Sequence, residues 1–324
     1  MEDDLIRTQP VPLTLQDAVK FFAVYDNCLN FMVQLRWPDG KVKCPQCGSD
    51  RVVWLANARL FKCYEKHDRP KFSLKTGTVF EDSPLGLDKW LAAVWLIVNC
   101  KNGISSYEIH RDLGVTQKTA WFMLHRIRLA MQDPDDGGKL SGVVEVDETF
   151  IGGKARNMHN SRRRKLGALA GGAGKAIVLG ALERKGKVRA AVASDRKNKS
   201  IQPFVKGNVS KGAKIMSDEF AGSWRMDDQY IHKIVNHLET YVVGNVHTNG
   251  IENFWSLLKR TLRGSYVSVE PFHLFRYVDE QVFRFNTRKT LNDFGRFALA
   301  LYQIVGKRLT YANLIGKEAE TPAC

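Results

Sequence analysis

Glu252 and Lys259 lie seven residues apart in HTNGIENFWSLLKRTLRGSY (247–266), where apolar residues recur at helical spacing. Ile251, Phe254, Trp255, Leu258 and Leu262 make one stripe, with Asn249 and Gly250 as the predicted start and Gly264 as the end. Seven residues is close to two turns, so the carboxylate and the ammonium project on nearly the same side. Such a pair can hold a metal ion and a phosphate together; the plain alternative is an amphipathic helix with solvated charges. Two more carboxylates sit where strands would deliver them. VVEVDETF (143–150) alternates, placing Glu145 and Asp147 on one face, and KIMS (214–217) leads into Asp218. Asp147, Asp218 and Glu252, if they converge, repel one another unless hard cations neutralise them. Oxygen donors suit Mg2+ or Mn2+. Two such ions can activate a water or a 3′-hydroxyl and stabilise the leaving oxygen of a phosphodiester, without a covalent protein nucleophile. Glu145, Glu148 and Glu219 are neighbouring acids that could take the place of the chosen ones. His247 is a candidate contact to phosphate or metal, or a structural capping residue.

The elements around these acids follow an order. After the strand of Asp147 come strands at 177–182 and 188–192, joined by the tight turn Glu183–Lys187. A helix carrying Ile201, Phe204 and Val205 follows, then the strand ending at Asp218, a short strand around Ile234, and the helix of Glu252. Three strands, a helix, a fourth strand and a later helix is the order of an RNase H-like domain. That order predicts that the three acids meet at one edge of the sheet. His273 to Arg288 reads as a late helix packing Leu274, Tyr277, Val278, Val282 and Phe285, with Arg276, Arg284 and Arg288 available to a DNA backbone.

A second constellation lies near the N-terminus. Cys44-x-x-Cys47 before Gly48 has the form of a zinc knuckle, and Cys63 and His67 complete a Cys₃His set across a hairpin-like segment. A small ribbon has too little core to fold without such a staple. The second half is Cys63-x₃-His67 rather than a second Cys-x-x-Cys, so His67 is the least secure of the four. Phe72 to Phe80 reads as the last ribbon strands. Residues 14–35 read as one helix containing Cys28 as a packed thiol, and Leu87 to Val98 as an apolar helix ended by Cys100.

Residues 103–131 have the layout of a helix-turn-helix, with Ser105 and Thr116 as caps and Leu113-Gly114-Val115 as the turn. Ala120, Met123, Leu124 and Ile127 face inward on the second helix, and Gln117, Lys118, His125, Arg126 and Arg128 are expected to face out. In a DNA-binding unit its first residues, Gln117 and Lys118, meet base edges. Between Lys154 and Lys175 lie seven basic residues and no acid, and Arg162, Arg163, Arg164 and Lys165 are natural phosphate contacts. The ending GGAGK is not a P-loop, because Leu169 and Ala176 stand where a Gly and a Ser or Thr are required. No nucleotide cofactor is expected.

The charge balance agrees: 49 Lys and Arg against 34 Asp and Glu give +15, which points to a polyanionic partner. The longest apolar run, Leu91 to Val98, is far too short to span a bilayer, and the acidic N-terminus lacks a signal-peptide core. No membrane is implied, and a cytoplasmic, nucleoid-associated protein is expected.

Seven pieces, in order, carry a family resemblance: CPQC, FSLKTGTVFEDS, VEVDETFIGGK, VLGALERKG, SDEFAGSW, HTNGIENFWSLLKR with GSY, and FRYVDEQVFRFNTR. Together they resemble the zinc-ribbon-bearing DDE transposases of bacterial insertion sequences, with an ISXO2-like transposase domain of the RNase H-like superfamily. The resemblance implies an acidic triad at Asp147, Asp218 and Glu252 and a basic position at Lys259. It implies an enzyme that cuts element ends and joins the freed 3′ ends to target DNA, working on double-stranded DNA as a homo-oligomer. The rivals are a DNA-binding regulator derived from such an enzyme, and a structure-specific nuclease that cuts without joining.

The expected fold is multidomain α+β. It has an N-terminal helix and zinc ribbon (1–82), a helix-turn-helix (83–132) and a linker (133–142). An RNase H-like mixed α/β catalytic domain (143–290) with a basic insertion (153–175) follows, then a C-terminal helical tail (291–324).

Overall fold

The computed structural model describes residues 11–132, 138–153, 159–161, 174–218, 230–235 and 248–317. They form two units, one built from the chain up to Gln132 together with the chain from Lys289 on, the other from the chain between.

The first unit opens with two helices, α1 (Leu15–Ala23) and α2 (Tyr25–Arg36), in place of the single helix expected over 14–35. Val24 is extended between them and breaks the run. The break lets α1 bury Ala18 and Phe22 while α2 buries Cys28, Met32 and Leu35. Cys28 is a packed thiol: its Sγ donates to the Phe22 carbonyl, and burial pushes its pKa up to about 12. A three-stranded antiparallel sheet follows, β1 (Val52–Leu55), β2 (Leu60–Cys63) and β3 (Lys71–Phe72). The expected strand to Phe80 stops at Phe72. Beyond it Ser73–Thr76 and Lys75–Thr78 form successive turns, and Gly77 takes a left-handed φ of 73°.

Helix α3 (Leu87–Asn99) is apolar on nearly every side and correspondingly buried, with Trp90, Leu91, Val94, Trp95, Ile97 and Val98 in the core. Helix α4 (Ser106–Leu113) starts in a capping box between Ser105 and Glu108 and stops at Gly114, left-handed at φ 59°. Helix α5 (Gln117–Ala130) is capped by Thr116.

The second unit holds a five-stranded sheet of β4 (Val143–Ile151), β5 (Ala176–Glu183), β6 (Val188–Ala193), β7 (Lys214–Asp218) and β8 (Ile231–Val235), ordered β6-β5-β4-β7-β8. The β4–β5 and β5–β6 pairs are antiparallel, and β4–β7 and β7–β8 are parallel. The crossover from β6 to β7 runs through α6 (Asn198–Asn208), which covers one face with Ile201 and Val205 against Val144, Val146, Leu179, Ala181 and Ile215. Leu140, inside the expected linker, belongs to this core and bridges to Val209. The other face carries α7 (Asn249–Gly264) and α8 (Leu274–Thr287), which bury Ile251, Phe254, Trp255, Leu258 and Leu262 with Tyr277, Val278 and Phe285 against Val178, Leu182 and Val188.

The chain then returns to the first unit. Helix α9 (Asp293–Tyr302) packs on α3, and Phe297 meets Phe22, Phe31 and Trp95 at centroid distances of 5.3–5.5 Å. Val305 bridges to Thr78, and a last short helix, α10 (Tyr311–Leu314), buries Leu314. The stretch read as a separate tail therefore supplies part of the N-terminal core. No described helix is long and apolar enough to cross a membrane.

Candidate active site and metal centre

Alternation along β4 sends Val144 and Val146 into the α6 side and Glu145 and Asp147 to the α7 side. Glu145 is 1% exposed and fully engaged. Its Oε1 accepts from Arg184 Nε at 3.0 Å and its Oε2 from the Ile251 backbone N–H at 2.9 Å. The first N–H groups of a helix lack internal partners and form the positive end of its dipole, so a carboxylate there is doubly favourable. Glu145 thus satisfies the start of α7 from a neighbouring strand. Gly250 leaves the space, since a Cβ there would lie 2.7 Å from Glu145 Oε2. The helix begins one residue earlier than Asn249 as cap would require: Thr248 is the N-cap, and its hydroxyl donates to Glu252 Oε1 at 3.0 Å.

Asp147 is half-buried two residues along β4. Its Oδ1 accepts from the Glu148 N–H at 2.8 Å and its Oδ2 from Trp255 Nε1 at 2.9 Å. Trp255 lies one turn beyond Glu252, which is exposed on α7. Strand β7 ends at Asp218. Its last pair with β4 is Met216 with Glu145, and Asp218 and Asp147 each lie two residues further along these adjacent parallel strands. The Asp218 side chain lies outside the described residues. Lys259 is half-buried on α7. Its ammonium is pulled below the usual lysine range by burial first, then by Arg263 and Lys175, while Asp147 acts the other way. Asp147 on β4 and Glu252 on α7 offer oxygen donors, the kind a hard divalent cation takes.

Several expected contacts turn out differently. His125, Arg126 and Arg128 do not face out; they are buried at 0, 7 and 1% exposure. Arg126 donates to the carbonyls of Leu309 and Glu81, so the last turns of α5 are enclosed on the side read as solvent-facing. Arg276 and Arg284 are likewise buried, and Arg284 pairs with Glu280 on its own helix. Arg288 is exposed and lies over the Phe285 ring. Gln117 is tied to Ser106 Oγ at 2.8 Å, and Lys118 is exposed beside the Tyr311 ring. Arg162, Arg163, Arg164, Lys165, Glu219 and His247 lie outside the described residues.

What sequence reasoning missed are Arg184, Gly180 and the polar role of Trp255, which it counted only as apolar. A glycine in mid-strand was the available signal, because it marks a close approach.

In the ribbon, one ligand atom each from Cys44, Cys47, Cys63 and His67 lies within 4.8 Å of the others. Gly48, at φ 74°, closes the knuckle that presents Cys44 and Cys47, and β2 ends on Cys63. Cys47 Sγ is 3.7 Å from Cys63 Sγ, and Cys44 Sγ is 3.6 Å from His67 Nε2. A tetrahedral zinc with bonds of about 2.3 Å to sulfur and about 2.0 Å to nitrogen has edges of about 3.5–3.8 Å. The donor set fits that ion, His67 included.

Comparison with known proteins gives matches over both the ribbon and the sheet domain. Residues 26–67 match a transposase zinc-ribbon domain and residues 139–286 an ISXO2-like transposase domain. The chain is also similar to an uncharacterized protein in transposable element ISH50 of Halobacterium salinarum, 29% identical over 255 residues, which are 75% of this chain and 85% of the relative. The ribbon match, with the four ligand atoms drawn together, supports structural zinc. The chain thus carries, in order, a match to a transposase zinc ribbon and a match to an ISXO2-like transposase domain, and it is similar over most of its length to a protein of an insertion-sequence element.

Proposed function

We propose that this protein is a DNA transposase that cuts the ends of its element and joins their 3′-hydroxyls to target DNA, with Asp147, Asp218 and Glu252 holding two Mg2+ or Mn2+ ions. The observation that carries the reading is the linkage between the central strand and the helix of Glu252. Asp147 accepts from Trp255, and Glu145 anchors the Ile251 N–H, so the two elements bearing candidate ligands are bonded to each other twice. The strand order β6-β5-β4-β7-β8, with its mix of antiparallel and parallel pairs and helices on both faces, supports an RNase H-like domain.

When bound, the two cations would supply an activated oxygen nucleophile and neutralise charge on the leaving oxygen. The chain's own part is to fix the carboxylates and to receive the DNA. Lys259, two turns along α7 from Glu252, is proposed to meet a phosphate oxygen. Arg162, Arg163, Arg164 and Lys165 are proposed to track the backbone, and His247 to contact phosphate near the reacting bond. The ribbon and the α4–α5 pair, a helix-turn-helix with Gln117 and Lys118 at the start of its second helix, are proposed to recognise the element ends. The basic composition suits double-stranded DNA as partner, and paired cutting of two ends calls for a homo-oligomer.

The test uses a labelled duplex carrying the DNA that flanks the gene. Wild-type protein is expected to nick at 3′ ends and join them to a plasmid in Mg2+, and to stop in EDTA. Asp218→Asn is expected to lose cleavage by at least a hundredfold while end binding stays within about twofold. Equal cleavage by wild type and mutant would falsify the assignment of Asp218. Nicking without joining favours the structure-specific nuclease, and binding without cutting in either metal favours the regulator.

A further inference from the structure

We propose that Trp255, seated on Gly180, is a positioning residue that aims the Asp147 carboxylate for divalent-cation binding. The proposal rests on the reading of Asp147 as a metal ligand. Trp255 is 4% exposed, and a buried indole N–H needs an acceptor; here it is Asp147 Oδ2 at 2.9 Å. The opposite oxygen, Oδ1, takes the Glu148 N–H at 2.8 Å. A carboxylate has about four acceptor sites. Bonds to both oxygens fix its plane.

Gly180 makes the reach possible. It is the register partner of Asp147 on β5, and a Cβ there would lie 2.6 Å from Trp255 Cη2 and 2.7 Å from Cζ2. Two atoms of the indole therefore take the space that a side chain would fill at the β5 position paired with Asp147. Mid-strand glycine weakens a strand, so its presence in β5 is explained by what crosses it. Residues that hold a metal ligand from behind typically set metal affinity by about 10- to 100-fold.

Trp255→Phe keeps a ring in the core and removes the N–H. In the full-length protein, Mn2+ binding is read by electron paramagnetic resonance of the free ion, without DNA and so without turnover. Nicking is read against Mg2+ concentration. Trp255→Phe is expected to weaken Mn2+ binding about tenfold and to raise the Mg2+ needed for half-maximal nicking by a similar factor, with the rate at saturating Mg2+ within about threefold of wild type. The double variant Gly180→Ala/Trp255→Phe separates packing from orientation, because the added methyl fills space that the smaller ring vacates. It is expected to recover thermal stability but not Mn2+ affinity. Wild-type Mn2+ affinity in Trp255→Phe, or its recovery in the double variant, overturns the proposal. Asp147→Asn tests the reading beneath it: if that variant binds Mn2+ like wild type, Asp147 is not a ligand and both fall.

Discussion

At the scale of single residues, one strand holds two acids with opposite fates. Glu145 and Asp147 share a face of β4, yet Glu145 is consumed by Arg184 and the start of α7 while Asp147 stays half-exposed. Breaking a buried pair by removing one partner leaves the other charge uncompensated, at about 3–5 kcal/mol. Arg184 retains some solvent, so Glu145→Ala is expected to destabilise by about 3 kcal/mol in urea unfolding. Its cleavage should fall through loss of folded protein and a loosened α7, unlike Asp218→Asn, which should leave stability intact. The sequence showed both acids on one face but not which would be buried. Arg184 sits in a hairpin turn that reads as solvated, and only the return of α7 across the sheet gives Glu145 its second partner.

At the scale of elements, local chemistry and tertiary enclosure can be told apart. The caps of α4 and α5 are local: Ser105 and Thr116 accept the N–H groups three residues on, and Gly114 takes the left-handed turn. Gly114→Ala is expected to cost about 1 kcal/mol, because a Cβ is disfavoured at positive φ even though nothing crowds it. Thermal unfolding read against wild type checks this. The faces of α5 were not legible in the same way. An arginine on a helix reads as solvent-facing, and Arg126 and Arg128 became buried because neighbouring chain far away in sequence closes over them. The break at Val24 was missed for a related reason: the apolar spacing over 14–35 permits one straight helix, and the core preferred two.

At the scale of the whole molecule, the +15 charge and the ribbon set how the protein should respond to salt and to chelators. Replacing Arg162, Arg163, Arg164 and Lys165 by alanine is expected to flatten the dependence of log affinity on log salt by about 3 to 4, at ~0.9 per lost phosphate contact. Fluorescence anisotropy on a duplex across a salt series measures it. Zinc should be present at one ion per chain, released by Cys63→Ser and by strong chelators. With the metal gone, the segment from Cys44 to Phe72 is expected to become protease-sensitive, since its small three-stranded sheet has little core of its own.

By itself the sequence determined what is short-range: the strand carrying Asp147, the helix carrying Glu252, the capped pair α4–α5, and a Cys₃His set whose members lie within one small ribbon. These follow from periodicity, capping and ligand spacing, which act over a few residues or one hairpin. Tertiary structure alone decided the rest. The bond from Trp255 to Asp147 spans 108 residues of chain, and the one from Ile251 to Glu145 spans 106. Which carboxylate is capped, which indole turns its N–H to an acid, and which arginines lose their solvent depend on what packs against each face, and no local pattern encodes that.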